Sequence, residues 1–178
     1  GAVMRVTAGL ADLLRAANGA RERQLPFGTA FCVIDQDKGH AFGFAVADGY
    51  CGWLDAAALG NMPDPTHWVK ATGTHLYPEP RVQSREIMAL PMGAQIYVLA
   101  QKDGFAETPS GFVPLPHLTP KGQFLTDPAA VAEQFLGTPY LWGGNSRAGL
   151  DCSGLVQMSL RACNINAPAD SDLQQDLG

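Results

Sequence analysis

The sequence is short of charge, of long apolar runs and of paired cysteines, and each shortage removes a class of function. Only 16% of its 178 residues are charged, 12 basic against 17 acidic for a net charge of −5. No basic cluster interrupts that balance, so a surface that tracks nucleic-acid phosphates is not expected. The longest apolar stretch, Met88 to Ala100, is broken by Pro91, Gly93 and Gln95. It falls short of the roughly 18 uninterrupted apolar residues that a membrane span needs, so no span is expected. The N-terminus, Gly1 to Arg5, lacks the basic head and apolar segment of a signal peptide. The cysteines Cys32, Cys51, Cys152 and Cys163 form no Cys-x-x-Cys pair, and the four histidines show no metal-ligand spacing beside them. No metal or other cofactor is therefore implied. Free thiols fit a reducing compartment, and a cytoplasmic location is the expectation.

What is plentiful is Gly (20) and Pro (13), a composition that favours short strands and many turns over long helices. The chain also repeats itself. Leu25-Pro26-Phe27-Gly28-Thr29-Ala30-Phe31-Cys32-Val33 returns 65 residues later as Leu90-Pro91-Met92-Gly93-Ala94-Gln95-Ile96-Tyr97-Val98. Gly49-Tyr50-Cys51-Gly52-Trp53-Leu54 corresponds to Gly111-Phe112-Val113-Pro114-Leu115, and Arg5-Val6-Thr7-Ala8 to Val69-Lys70-Ala71-Thr72. Two small all-β barrels follow, residues 1–62 and 63–118, with alternating strands such as Ala30 to Ile34 and Gln95 to Leu99. A linker over 119–126 leads to a third part, residues 127–178.

There the texture becomes helical. Asp127-Pro128 is a helix start, because the carboxylate accepts orphan amide hydrogens and proline at the first helical position loses no bond. Ala130, Val131, Gln134 and Phe135 share a face until Gly137 closes the segment. A second helix is expected from Cys152 to about Cys163, with Val156, Ser159, Leu160 and Cys163 at helical spacing. Thr138 to Leu150 reads as irregular.

Cys152 carries the chemistry. At a helix start the peptide dipoles favour the thiolate, and the free amides there can stabilise an oxyanion, so acyl transfer is the natural reaction class. Two plainer readings stand beside this one. Cys152 could be a small apolar filler beneath the β modules, and Asp151 an ordinary helix cap. Cys163, late on an apolar face, reads as packing.

Tyr140-x-Trp142-Gly143-Gly144, then Asp151-Cys152-Ser153-Gly154-Leu155-Val156, then Asp170-Ser171-x-x-Gln174, resembles the NlpC/P60 family of cysteine peptidases that cleave bacterial cell-wall peptides. The resemblance covers 127–178, and the repeated modules are similar to the bacterial SH3-like domains that precede such catalytic domains. It implies a multidomain chain: two SH3-like barrels, then the N-terminal part of an α+β papain-like domain. It further implies a hydrolase that cuts the γ-D-Glu to diamino acid bond of murein peptides with a free N-terminal L-Ala. Cys152 would be the nucleophile, passing through a thioester, and Asp151 would hold the L-Ala ammonium. Tyr140, Ser153 and Ser171 match substrate-contacting positions. Glu22 and Tyr50 resemble the residues with which the first SH3-like domain closes the pocket. Position 50 keeps a hydroxyl that its repeat partner Phe112 lacks, as expected if only the first module touches a polar substrate.

One part of the pattern is missing. The family's catalytic histidine follows the cysteine on a later strand, whereas this sequence has no histidine after His117. His40, His67, His75 and His117 all fall in the β modules or the linker. The expectation is that the C-terminal portion of the catalytic domain lies outside this sequence. A cell-wall peptide binding protein without turnover, or a thiol acyltransferase on the same scaffold, remain the alternatives.

Overall fold

The computed structural model describes residues 1–177, which form two β modules and a small helical part. The first module is one antiparallel sheet of β1 (Ala2–Val6), β2 (Leu10–Leu14), β3 (Arg21–Pro26), β4 (Ala30–Asp37), β5 (His40–Ala45), β6 (Cys51–Asp55) and β7 (Leu59–Gly60). Its strand order is β3-β2-β6-β5-β4-β1-β7. Alternation decides which face turns inward: in β4 Phe31 and Val33 are buried while Ala30 and Cys32 are half-buried. The sheet curls around Val6, Leu13, Leu25, Phe31 and Leu54. Each such side chain contributes roughly 1.5–3 kcal/mol on leaving water.

The second module comprises β8 (His67–Val69), β9 (Gly73–Leu76), β10 (Met88–Pro91), β11 (Gln95–Ile96), β12 (Ala100–Lys102), β13 (Phe105–Thr108), β14 (Gly111–Pro114) and β15 (Leu118–Pro120). These form three small sheets, β10-β9, β11-β8-β15 and β12-β13-β14, around a core of Val69, Leu76, Leu90, Ile96 and Val113.

The sequence repeat is a structural one. β1 pairs with β4 and β7, and β8 pairs with β11 and β15 in the same way. Val6 N–H donates to Thr29 O (3.0 Å) and Gly28 N–H to Val6 O (2.8 Å); Val69 N–H donates to Ala94 O and Gly93 N–H to Val69 O (both 2.9 Å). Both turns need a left-handed residue, with φ of +78° at Gly28 and +84° at Gly93, which is why each copy has glycine there. The copies differ after this turn. The strand expected over Gln95 to Leu99 ends at Ile96, because the Val98 amide is taken by Thr66 Oγ1 instead of a ladder. At its far end β15 runs from Leu118 to Pro120.

The third part holds α1 (Pro128–Glu133), a hairpin of β16 (Asn145–Ser146) and β17 (Gly149–Leu150), α2 (Cys152–Ala162) and α3 (Ser171–Gln174). Asp127 Oδ1 caps α1, accepting from the amides of Ala129 (2.9 Å) and Ala130 (3.1 Å). Of the four residues expected on its inner face, Val131 and Phe135 are buried while Ala130 and Gln134 point outward. On α2 the expected face is also rotated. Gln157, Met158, Ser159 and Ala162 are buried, and Val156 is 40% exposed because it lies roughly 200° around the helix from Met158. The hairpin occupies a stretch that reads as irregular, its strands being only two residues long. Val131, Phe135, Leu150, Met158 and Ala162 share a core with Met92 of the second module. No helix among the described residues is long and apolar enough to cross a membrane.

Candidate active site

Cys152 is the first residue of α2 and is exposed, so it is not a filler beneath the β modules. Its neighbours in the first turn are already engaged: Gly154 N–H donates to Asp151 Oδ1 (2.7 Å) and Leu155 N–H to Asp151 O (3.1 Å). The amides of Cys152 and Ser153 have no hydrogen-bond partner among the described residues. Two free donors therefore remain beside the sulfur at the positive end of the helix. Asp151 is the cap that the plainer reading proposed, and it does more: Oδ2 accepts the Gly143 amide (2.8 Å) and Oδ1 also receives the Ser153 hydroxyl (3.4 Å).

A cleft of about 260 Å³ opens at the sulfur, and Glu22, Tyr50, Tyr140, Asp151, Cys152, Ser153 and Ser171 all line it. Four other residues join them: Trp142, Ala169, Asp170 and Asp172. The floor comes from the loop before α2 and from α2 itself, the roof from the first β module, and one side from the start of α3. Tyr140 and Trp142, 66% and 62% exposed, form an aromatic rim. Gln174 ties α3 in place, with Nε2 donating to Ser153 O (3.0 Å) and Pro168 O (2.9 Å).

The roof is fixed by close approach of backbones. Arg21 Nε donates to Trp142 O (2.9 Å), and Gln24 accepts two 3.2 Å bonds from Asn145, its Oε1 from the backbone amide and its backbone O from Nδ2. Gly143 has φ +67°, and a Cβ there would stand 2.7 Å from Glu22 O. Glycine is what allows β3 to lie against this loop. Behind Tyr50, Asp48 accepts from Arg23, Arg161 and Gln157 and joins the module to α2. The Arg23 guanidinium lies 5.1 Å over the Tyr50 ring.

The cleft is acidic. Glu22, Asp151, Asp170 and Asp172 line it, with no Lys, Arg or His. Glu22 is held from outside by Arg15 Nε at 2.6 Å. Burial, followed by the negative charges of Asp170 and Glu22, pushes the Tyr50 hydroxyl up to about 12 against the opposing pull of Arg23. Burial raises the Asp170 carboxyl too, Asp172 and Glu22 adding to it and the Tyr50 hydroxyl and Arg23 partly offsetting it. Such a site receives a cation more readily than an anion. Away from the cleft Cys163 packs beside Met158 and Phe135, and burial pushes its thiol up, with Asp127 adding to the shift.

These parts correspond to two described families. Residues 13–59 match the bacterial dipeptidyl-peptidase Sh3 domain and residues 137–178 match the NlpC/P60 family. The class is thus an SH3-like domain set ahead of an NlpC/P60 domain. Over residues 137–178 the chain is similar to the NlpC/P60 family. Among curated relatives, Dipeptidyl-peptidase 6 of Lysinibacillus sphaericus is 31% identical over 135 residues, covering 63% of this chain and 49% of the relative. The gamma-D-glutamyl-L-lysine dipeptidyl-peptidase of Bacillus subtilis is 46% identical over 44 residues, 25% of this chain and 15% of that one. The chain thus spans half or less of the length of these relatives. An NlpC/P60 family protein from Bacillus cereus has the same fold, with a TM-score of 0.81 at 18% identity over 97% of this chain and 76% of that one. An NlpC/P60 endopeptidase from Photobacterium damselae gives a TM-score of 0.64 at 17% identity, over 97% and 45%.

Proposed function

We propose that the protein is a cysteine endopeptidase that hydrolyses the γ-D-glutamyl to diamino acid bond of murein peptides with a free N-terminal L-Ala. The observation that carries this reading is an exposed cysteine at a helix start, with two unused amides, opening into a cleft whose other ionisable groups are carboxylates and two phenols. The Cys152 sulfur attacks the carbonyl, and the amides of Cys152 and Ser153 receive the oxyanion. The amine departs with a proton, a thioester remains, and water releases the acid and regenerates the thiol. Asp151, with Glu22 and Tyr50 above it, holds the substrate ammonium. A blocked amine would leave that acidic pocket unpaired, at a cost of about 3–5 kcal/mol. Tyr140, Ser153 and Ser171 supply hydroxyls to the short peptide. The names of the two curated relatives support this substrate class. We divide the chain into SH3-like units over 1–62 and 63–118, a linker over 119–126 and the catalytic part over 127–178, the matching ladders supporting a second SH3-like unit. A cytoplasmic place, where imported wall fragments are recycled, fits the four free cysteines.

Turnover also needs a base, and no histidine lines the cleft. That observation favours a second reading, a cell-wall peptide binding protein. Mass spectrometry of products from L-Ala-γ-D-Glu-diamino acid peptides, free and N-acetylated, separates the two with protein of full natural length. The peptidase reading expects cleavage of the free peptide alone, abolished by Cys152→Ala. Binding without cleavage supports the second reading, and equal cleavage of both peptides removes the ammonium role of Asp151.

A further inference from the structure

A larger cavity, about 590 Å³, opens where the two β modules and the helical part meet, and it shares no residue with the cleft at Cys152. Its size falls within the range of roughly 300–1,000 Å³ typical of small-molecule sites. Its polar chemistry is the reverse of the cleft's. Arg5, Arg23, Arg161 and Lys121 line it and no Asp or Glu does, although the chain as a whole has more acid than base.

The pairing of these cations is incomplete. Arg5 is matched by Asp64 at 2.7 Å. Arg23 and Arg161 share one carboxylate, Asp48 Oδ2, at 2.5 and 3.0 Å, and that carboxylate is only 7% exposed. The Arg161 guanidinium makes no other hydrogen bond, and Lys121 no ion pair, among the described residues. Two guanidiniums against one carboxylate leave a positive charge uncompensated in a largely desolvated place, where charge is costly unless paired.

We propose that this cavity binds a small amphipathic anion, its carboxylate or phosphate held by Arg161 and Lys121 and its apolar body resting on Trp68, Phe124 and Met158. The unused edge of the Arg161 guanidinium presents two parallel donors, the geometry that suits such an anionic group. Trp68 is fixed in the wall by Nε1 donating to Gln123 O (3.0 Å), so its indole signal reports an occupant. The site is independent of the reaction proposed for Cys152.

The test uses the ¹⁵N-labelled protein titrated with phenyl phosphate, and with benzyl alcohol and benzylamine as neutral and cationic counterparts. Phenyl phosphate shifts the Trp68 indole and Arg161 Nε signals and binds at least about tenfold more tightly than benzyl alcohol, a difference that Arg161→Met removes. Lys121→Met weakens binding by a smaller factor and leaves the Asp48 network intact, so it decides the matter if Arg161→Met fails to fold. Equal affinity for the alcohol, an unmoved Trp68 signal, or unchanged binding in Lys121→Met overturns the proposal.

Discussion

Asp48 holds the amide of Tyr50: Oδ1 accepts that N–H at 3.2 Å, while Oδ2 receives Arg23 at 2.5 Å, Arg161 at 3.0 Å and Gln157 at 3.3 Å. One carboxylate therefore fastens the first β module to α2 and holds the backbone of Tyr50, which lines the same cleft as Cys152.

Removing it should be costly. Asp48→Ala strands two guanidiniums and lowers unfolding free energy by about 3–5 kcal/mol, measured by urea denaturation. Burial acts to raise the Asp48 carboxyl, but Arg23 and Arg161 outweigh it and hold the group below the usual carboxylate range. Since the folded value is depressed, the contribution is present above the unfolded value and disappears as pH falls through the folded one. The stability gap between wild type and Asp48→Ala should therefore be full above about pH 4 and narrow below it.

Tyr50 should remain a hydroxyl donor throughout any ordinary assay range, since its value lies near 12. A raised phenol stabilises the fold below the unfolded value of about 10, and that contribution is lost as pH rises from there to about 12. Asp170→Asn removes the neighbouring charge with the larger effect and should bring the Tyr50 titration down, as read by ultraviolet difference spectroscopy against a Tyr50→Phe control. An unchanged titration would mean that burial and Glu22, without Asp170, raise it.

Gly143→Ala combines a left-handed backbone with a Cβ directed at Glu22 O. The conformational penalty alone is roughly 1–2 kcal/mol, and separating β3 from the loop adds to it. The expected result is a lower melting temperature and, on the proposed substrate, a rise in KM larger than the fall in kcat. Gly39→Ala, whose Cβ would meet nothing within 4 Å, is the control for conformation without contact.

Gln174→Leu deletes the two bonds from Nε2 to Ser153 O and Pro168 O. A loss of about 1–3 kcal/mol is expected, with Ser171 drifting from the cleft. Iodoacetamide labelling of Cys152, followed peptide by peptide because Cys51 is exposed as well, should proceed at the wild-type rate. A slowed reaction would show that α3 also orders the start of α2.

Much of this organisation was legible in the residues. The glycine of the Leu-Pro-x-Gly turn is demanded by local backbone geometry, so the repeat shows in the sequence. The same holds for Asp127 and Asp151, whose caps act within three positions. Asp48 gave no such sign, because its partners Gln157 and Arg161 lie 109 and 113 positions away and meet it only when two parts dock. Asp170 and Trp142 stood inside recognised motifs, yet nothing in their type distinguished them from neighbours until the cleft assembled. Val156 misled through spacing: on a helix of three turns, apolar residues one position out of phase look like a core face.

The cleft's roof and floor belong to separately cored units, Glu22 and Tyr50 above and Cys152 with its amides below. On the proposed function, selectivity and reactivity are thereby uncoupled in inheritance: substitutions in the leading module would retune which peptide is admitted, and one sulfur centre could be reused under different covers.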